Sequence, residues 1–137
     1  MIELLKAPRL DLLLALAAVL ASAPVIAAID LRDYDNDLMR DLDKTVKYFE
    51  PDITAQNSDA AREDAQVLLD GFKYTESYFT KKGAADAVEI SRKGVKVVND
   101  VLANVDANNF DAAAAAARET PNLCKSCHDI YKPRLAR

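Results

Sequence analysis

The chain has 137 residues, half of them hydrophobic, and a formal net charge of −4. This length suits a single domain with a modest apolar core. The negative balance argues against nucleic acid as a partner, because such proteins need a basic face.

The N-terminus reads as a secretory signal over residues 1–27. Lys6 and Arg9 provide a positive start, and Leu12 to Leu20 form an apolar run too short to span a bilayer comfortably. Val25-Ile26-Ala27 fits a cleavage site, so the cut is expected after Ala27, with Ala23 and Ala28 as alternatives. An uncleaved anchor is the competing reading of this segment. Cleavage leaves residues 28–137 as one domain of unchanged net charge, since Glu3 and Asp11 leave with Lys6 and Arg9. No other segment is a candidate membrane span, so the mature chain is expected to have none.

From there the apolar periodicity is helical. A first helix is expected from Leu31 to Glu50, with Leu31, Tyr34, Leu38, Leu42, Val46 and Phe49 on its inner stripe. Asp30 can cap it and Pro51 should end it. A second helix starts near Ser58 or Asp59, carries Ala61, Ala65, Leu68, Phe72 and Phe79 inward, and stops at Gly83. A third runs from Ala84 to Val105. Val88, Ser91, Val95, Val98, Leu102 and Val105 form one stripe, and Ala87, Ile90, Gly94, Val97 and Val101 lie beside it. With so wide an apolar arc this helix should be the most buried, with Val95, Val98 and Leu102 in the core.

A fourth helix begins near Phe110, with Asp111 as its N-cap, and passes through the alanine run 112–117, a strong helix former. Pro121 should kink it, because proline lacks an N–H and clashes with the carbonyl of Ala117. The alternative is a stop and restart, with Thr120 as N-cap and Pro121 at the first helical position. Pro133 should end the last helix. Short links between similar helices imply antiparallel neighbours. The predicted fold is therefore all-α, an up-down-up-down four-helix bundle.

Residues 124–128 read Cys124-Lys125-Ser126-Cys127-His128 and hold the chain's only cysteines and only histidine. This is the C-x-x-C-H pattern of covalent c-type haem attachment, in which two thiols form thioethers with the porphyrin and the imidazole becomes an axial iron ligand. On a helix, residues i, i+3 and i+4 share a face, so all three point towards one planar macrocycle. Three readings compete. A structural zinc site normally needs four Cys or His ligands, and the chain offers three. A thioredoxin-like dithiol expects a βαβ setting that the sequence lacks. A short-loop disulfide can form in an oxidising compartment. An export signal favours haem, because c-type haem is attached outside the bacterial cytoplasm. A haem lodged between helices would add a large apolar body to the core and place the bundle's haem near its C-terminal helix.

Cys124-Lys125-Ser126-Cys127-His128-Asp129-Ile130-Tyr131-Lys132, near the end of the last helix of a four-helix pattern, resembles the cytochrome c-prime superfamily. The resemblance covers the chain from about Leu31 to Arg134. It implies a periplasmic protein with one haem, often dimeric through its first two helices. One branch of the superfamily has five-coordinate iron that binds nitric oxide or carbon monoxide. In the other, a methionine of the first helix is the sixth ligand, and the protein looks like an electron carrier working with redox partner proteins. Met39 falls where this second branch has its ligand. It is the only methionine besides Met1. The expected axial pair is thus His128 and Met39, with a gas-binding haem protein as the alternative function; Met39 as flexible core filling is the plainer reading of that residue.

Other residues say less. Tyr131 can pack on a haem edge or in the core. Lys132, four residues after His128, can meet a propionate or solvent, and Arg32 is expected at the surface. The sequence displays no paired carboxylates in an apolar setting, no nucleophile–base pair and no phosphate loop, so the expectation is an electron carrier rather than an enzyme.

Overall fold

The computed structural model describes residues 29–135, with side chains as far as Lys132. The expected export signal lies outside the described residues. Five helices follow in order: α1 (Asn36–Thr54), α2 (Ser58–Lys82), α3 (Ala85–Asp106), α4 (Phe110–Ala117) and α5 (Glu119–Leu135). The architecture is an all-α four-helix bundle in which α4 and α5 together make the fourth helix. α2 lies between α1 and α3, and α4 closes the ring by packing on both α3 and α1.

The helix boundaries follow from capping chemistry. Asp35, not Asp30, caps α1: its carboxylate accepts from the backbone N–H of Asp37 and Leu38, each at 3.0 Å. This satisfies two donors that otherwise have no partner at a helix start. Asp30 instead holds the Arg32 guanidinium with both carboxylate oxygens. Leu31 and Tyr34 therefore precede the first helix rather than belonging to it, yet both are buried. Their apolar side chains fold the lead-in segment down onto α2 and α3.

Pro51 does not end α1. The helix carries it and continues to Thr54. Proline removes one hydrogen bond of the ladder, but Phe49 and the fully buried Ile53 hold that last turn against the core. α2 is capped by Asn57, and it stops at Gly83, whose φ of 72° is a left-handed conformation that glycine adopts without a Cβ clash.

At the fourth helix the cap is Asn109, so Asp111 sits in the first turn instead of at the cap. The interruption comes at Arg118, one turn before Pro121. The proline ring excludes the carbonyl of residue 117 from the ladder, and the chain yields there. Arg118 itself keeps helical backbone angles and its N–H still bonds the Ala114 carbonyl, so the chain passes from α4 into α5 without a loop. Thr120 and Pro121 fall inside the first turn of α5, so Thr120 is not its N-cap, and Pro133 lies within the helix rather than ending it.

α3 buries Ala87, Val88, Ser91, Gly94, Val98, Val101 and Val105. Its inward direction runs between the two predicted stripes. Val98 is fully buried, whereas Val95 and Leu102 are half-buried at the edge of the core. The apolar interior divides into two. One cluster joins Phe49, Ile53, Leu68, Val98, Val101 and Val105 with the small side chains Ala61, Ala65, Ala113, Ala114 and Ala117. The other joins Leu31, Tyr34, Tyr78, Phe79, Ala87, Val88 and Tyr131, with Met39 and Cys127 against it.

Candidate functional site

α5 rests on α3, and α1 scarcely touches α5 along the backbone. Side chains bridge the gap. Cys124, Cys127 and His128 share one half-buried face of α5, at the i, i+3 and i+4 positions. From α1, Met39 reaches across until its Sδ lies 3.4 Å from His128 Nε2. These two atoms belong to residues 89 apart in sequence, and only the packing of α1 and α5 around α2 and α3 brings them together.

A cleft of about 480 Å³ opens beside this pair. Leu31, Tyr34, Phe79 and Tyr131 give it apolar walls, and Asn36, Arg40, Asp43 and Lys132 form the polar part of its lining. A narrow apolar slot of about 70 Å³ continues behind, between Leu42, Val46, Phe72, Ile90 and Leu123, and it reaches Cys124 and Cys127. A shallower depression of about 640 Å³ lies on the far side, edged by Pro121, Cys124, Lys125 and Asp129. His128 belongs to the walls of all three. The volume of the main cleft is that of a small-molecule or cofactor site.

Electrostatics keep the trio neutral. Burial pushes the Cys127 thiol up to about 11, helped by the Asp86 and Cys124 charges. Burial raises Cys124 as well. Both sulfurs are free thiols rather than a disulfide. Burial, then the Lys132 ammonium, lowers His128, against the opposing pull of Asp43 and Asp129. At neutral pH the imidazole is therefore uncharged and keeps a lone pair for a metal. Among the described residues no three His, Cys, Asp or Glu side chains converge as ligands of a single small ion. The trio lies within little more than one turn of α5 and faces one way.

Lys132 lies in the cleft wall and is exposed. Arg32 is exposed and occupied by Asp30. Tyr131 is buried, and its hydroxyl donates to Asp86 at 2.5 Å, tying α5 to the start of α3. Arg40 and Asp43 escaped the sequence reading. They follow Met39 by one and four residues, a spacing that places Asp43 on the same side of α1. Tyr34 and Phe79 were read as core and prove to be cleft wall as well.

The structure also brings together a carboxyl pair that no pattern in the sequence displays. Asp52 at the end of α1 meets Asp64 of α2, and Asp64 Oδ2 is buried without a hydrogen-bond partner. Burial, then the Asp52 charge, pushes Asp64 up to about 6. Twelve residues of sequence hide the pair, because only the α1–α2 turn brings them together. Thirteen residues along α1 put it ~20 Å from Met39.

Comparison with family models, with curated proteins and with solved structures finds no match for this chain.

Proposed function

We propose that this chain is a periplasmic electron carrier holding one covalent haem c. The Met39–His128 approach carries the reading: a soft thioether and a neutral imidazole, from different helices, face each other at 3.4 Å beside two free thiols. Methionine with histidine is an established haem ligand pair, and each matches it in chemistry. The residues fit the group in three further respects. The thiols and imidazole occupy one helix face. The adjoining walls are apolar. The gap between α1 and α5 is crossed by side chains alone, so it can widen without breaking a helix. Met39 and His128 are the two side chains that would hold the iron, and at 3.4 Å they would have to part to admit it.

In this reading Cys124 and Cys127 anchor the macrocycle and His128 donates its Nε2 lone pair. Met39 donates sulfur, which favours the reduced state and raises the potential. When bound, the haem supplies one-electron Fe(III)/Fe(II) chemistry. Leu31, Tyr34 and Phe79 exclude water from it, and Arg40 and Lys132 offer cations to its acidic groups. The open side of the cleft is where redox partner proteins would approach.

The test is a pair of measurements on protein exported to the periplasm. Extraction of the denatured protein with acidified organic solvent should leave the colour on the polypeptide. The reduced protein should show sharp low-spin bands. Extractable or absent pigment overturns the haem. A high-spin spectrum with free binding of carbon monoxide overturns the methionine ligand and favours the gas-binding alternative.

A further inference from the structure

Four of the chain's five tyrosines are gathered in one aromatic cluster that begins at the cleft and ends at the surface. Tyr131 lines the cleft together with His128. Its ring lies 4.6 Å from that of Phe79, centre to centre, and Phe79 lies 5.2 Å from Tyr78. Tyr78 stacks on Tyr74 at 6.3 Å, one helical turn earlier in α2. Tyr74 is 37% exposed. These are ordinary spacings for packed aromatic rings, and the hydroxyl groups add something that packing does not require. Tyr131 donates to the Asp86 carboxylate at 2.5 Å, and Tyr78 donates to the Asp33 carboxylate at 2.7 Å. A phenol that loses an electron must also lose its proton, and a carboxylate already in hydrogen-bond contact can take it. Tyr34 lacks such a base: Thr75 gives its own proton to the Gly71 carbonyl, so Tyr34 donates to a hydroxyl that cannot accept a proton at neutral pH.

We propose that Tyr131, Tyr78 and Tyr74, bridged by Phe79, form a relay that carries oxidising equivalents from the cleft to the surface and protects the site from peroxide. The inference rests on the haem reading. Once the Met39 thioether has let go of the iron, hydrogen peroxide would take two electrons from the cofactor and two protons from water to become two waters, and it would leave the cofactor short of two electrons. Tyr131 returns one electron and passes its proton to Asp86. Tyr78 then gives an electron to Tyr131, which recovers its proton from Asp86, while the Tyr78 proton moves to Asp33. Tyr74 refills Tyr78 in the same way and releases its proton to water. A small one-electron reductant such as ascorbate restores Tyr74 by supplying an electron and a proton. A second passage returns the second electron.

Tyr48 provides the internal control, because it is 64% exposed and makes no ring contact with the cluster. The holoprotein is treated with peroxide and a nitrone spin trap, and trapped tyrosines are located by mass spectrometry. Tyr74 should be labelled several-fold more than Tyr48, although it is the less exposed. Tyr131→Phe and, independently, Asp86→Asn should each cut the Tyr74 label several-fold, while Tyr48→Phe leaves it unchanged. Labelling of Tyr48 equal to or above that of Tyr74, or a Tyr74 label indifferent to both Tyr131→Phe and Asp86→Asn, overturns the relay. Pigment extraction on the same preparation decides the haem reading separately. If it finds no haem, the cysteines are free, and a thiol-reactive ruthenium complex coupled to them puts a photo-oxidant in the cleft. The same preference for Tyr74, with the same response to the two variants, is then expected, and its absence overturns the relay.

Discussion

The two ends of the bundle are built from different materials. At one end, Phe49, Ile53, Leu68, Val98, Val101 and Val105 interlock with five buried alanines from α2 and α4. Small side chains let α4 settle closely against α1 and α3. At the other end the side chains are aromatic, the tyrosine hydroxyls are hydrogen-bonded to Thr75, Asp33 and Asp86, and the main cleft lies among them. The closed end can supply the stability of the fold, which frees the other end to hold side chains apart. A helix pair that met along its whole length would leave no room beside His128.

The largest expected effect breaks the closed end. Leu68→Ala should destabilise the protein by ~2–5 kcal/mol, because a fully buried leucine leaves a cavity that a tightly packed region cannot collapse. Leu102, half-buried at the edge of the same cluster, should cost ~1–2 kcal/mol on truncation to Ala. Denaturant titration measures both, and equal costs would mean that the closed end is no tighter than its rim.

At the open end the sharpest change is chemical. Met39→Ala should leave the helices intact, turn a low-spin haem high-spin, lower the reduction potential and admit carbon monoxide. Identical spectra and equally fast carbon monoxide binding in variant and wild type would make Met39 core filling. Tyr34→Phe should cost ~0.5–1.5 kcal/mol, the worth of one buried hydrogen bond, since Thr75 keeps its bond to Gly71.

The smallest effect concerns pH. Asp64 titrates near 6 in the folded protein, above the ~3.9 of an unfolded chain. Its ionised form is therefore disfavoured by folding, and stability should rise as the pH falls from above 6 towards 4. His128, lowered by burial, acts the other way in this window in protein without cofactor, because an unfolded histidine takes up a proton first. Comparison with Asp64→Asn isolates the carboxyl. Wild type should gain stability relative to the variant as the pH is lowered from 7 to 5, and a difference independent of pH would falsify the assignment.

Much of this molecule was legible in its sequence, and the exceptions have a common cause. Gly83 and the start at Ser58 were readable because a left-handed cap and an N-cap are local requirements. Pro51 reads as a stop because its cost is local, whereas the burial of Ile53 that outweighs it is not. The lead-in residues Leu31 and Tyr34 have helical spacing, but the Asp35 cap decides where the helix begins. The interruption at Arg118 lies one turn from the proline that causes it.

Sequence alone determined the four-helix architecture, the wide apolar arc of the third helix, and the shared face of Cys124, Cys127 and His128, because helix periodicity is a property of neighbouring residues. Tertiary structure decided what stands opposite that face. The approach of Met39 to His128, the bond from Tyr131 to Asp86 and the meeting of Asp52 with Asp64 all join residues from different helices. Such pairs depend on which helix faces which and at what depth, and this is settled by the packing of whole faces around a common core rather than by any pattern along the chain.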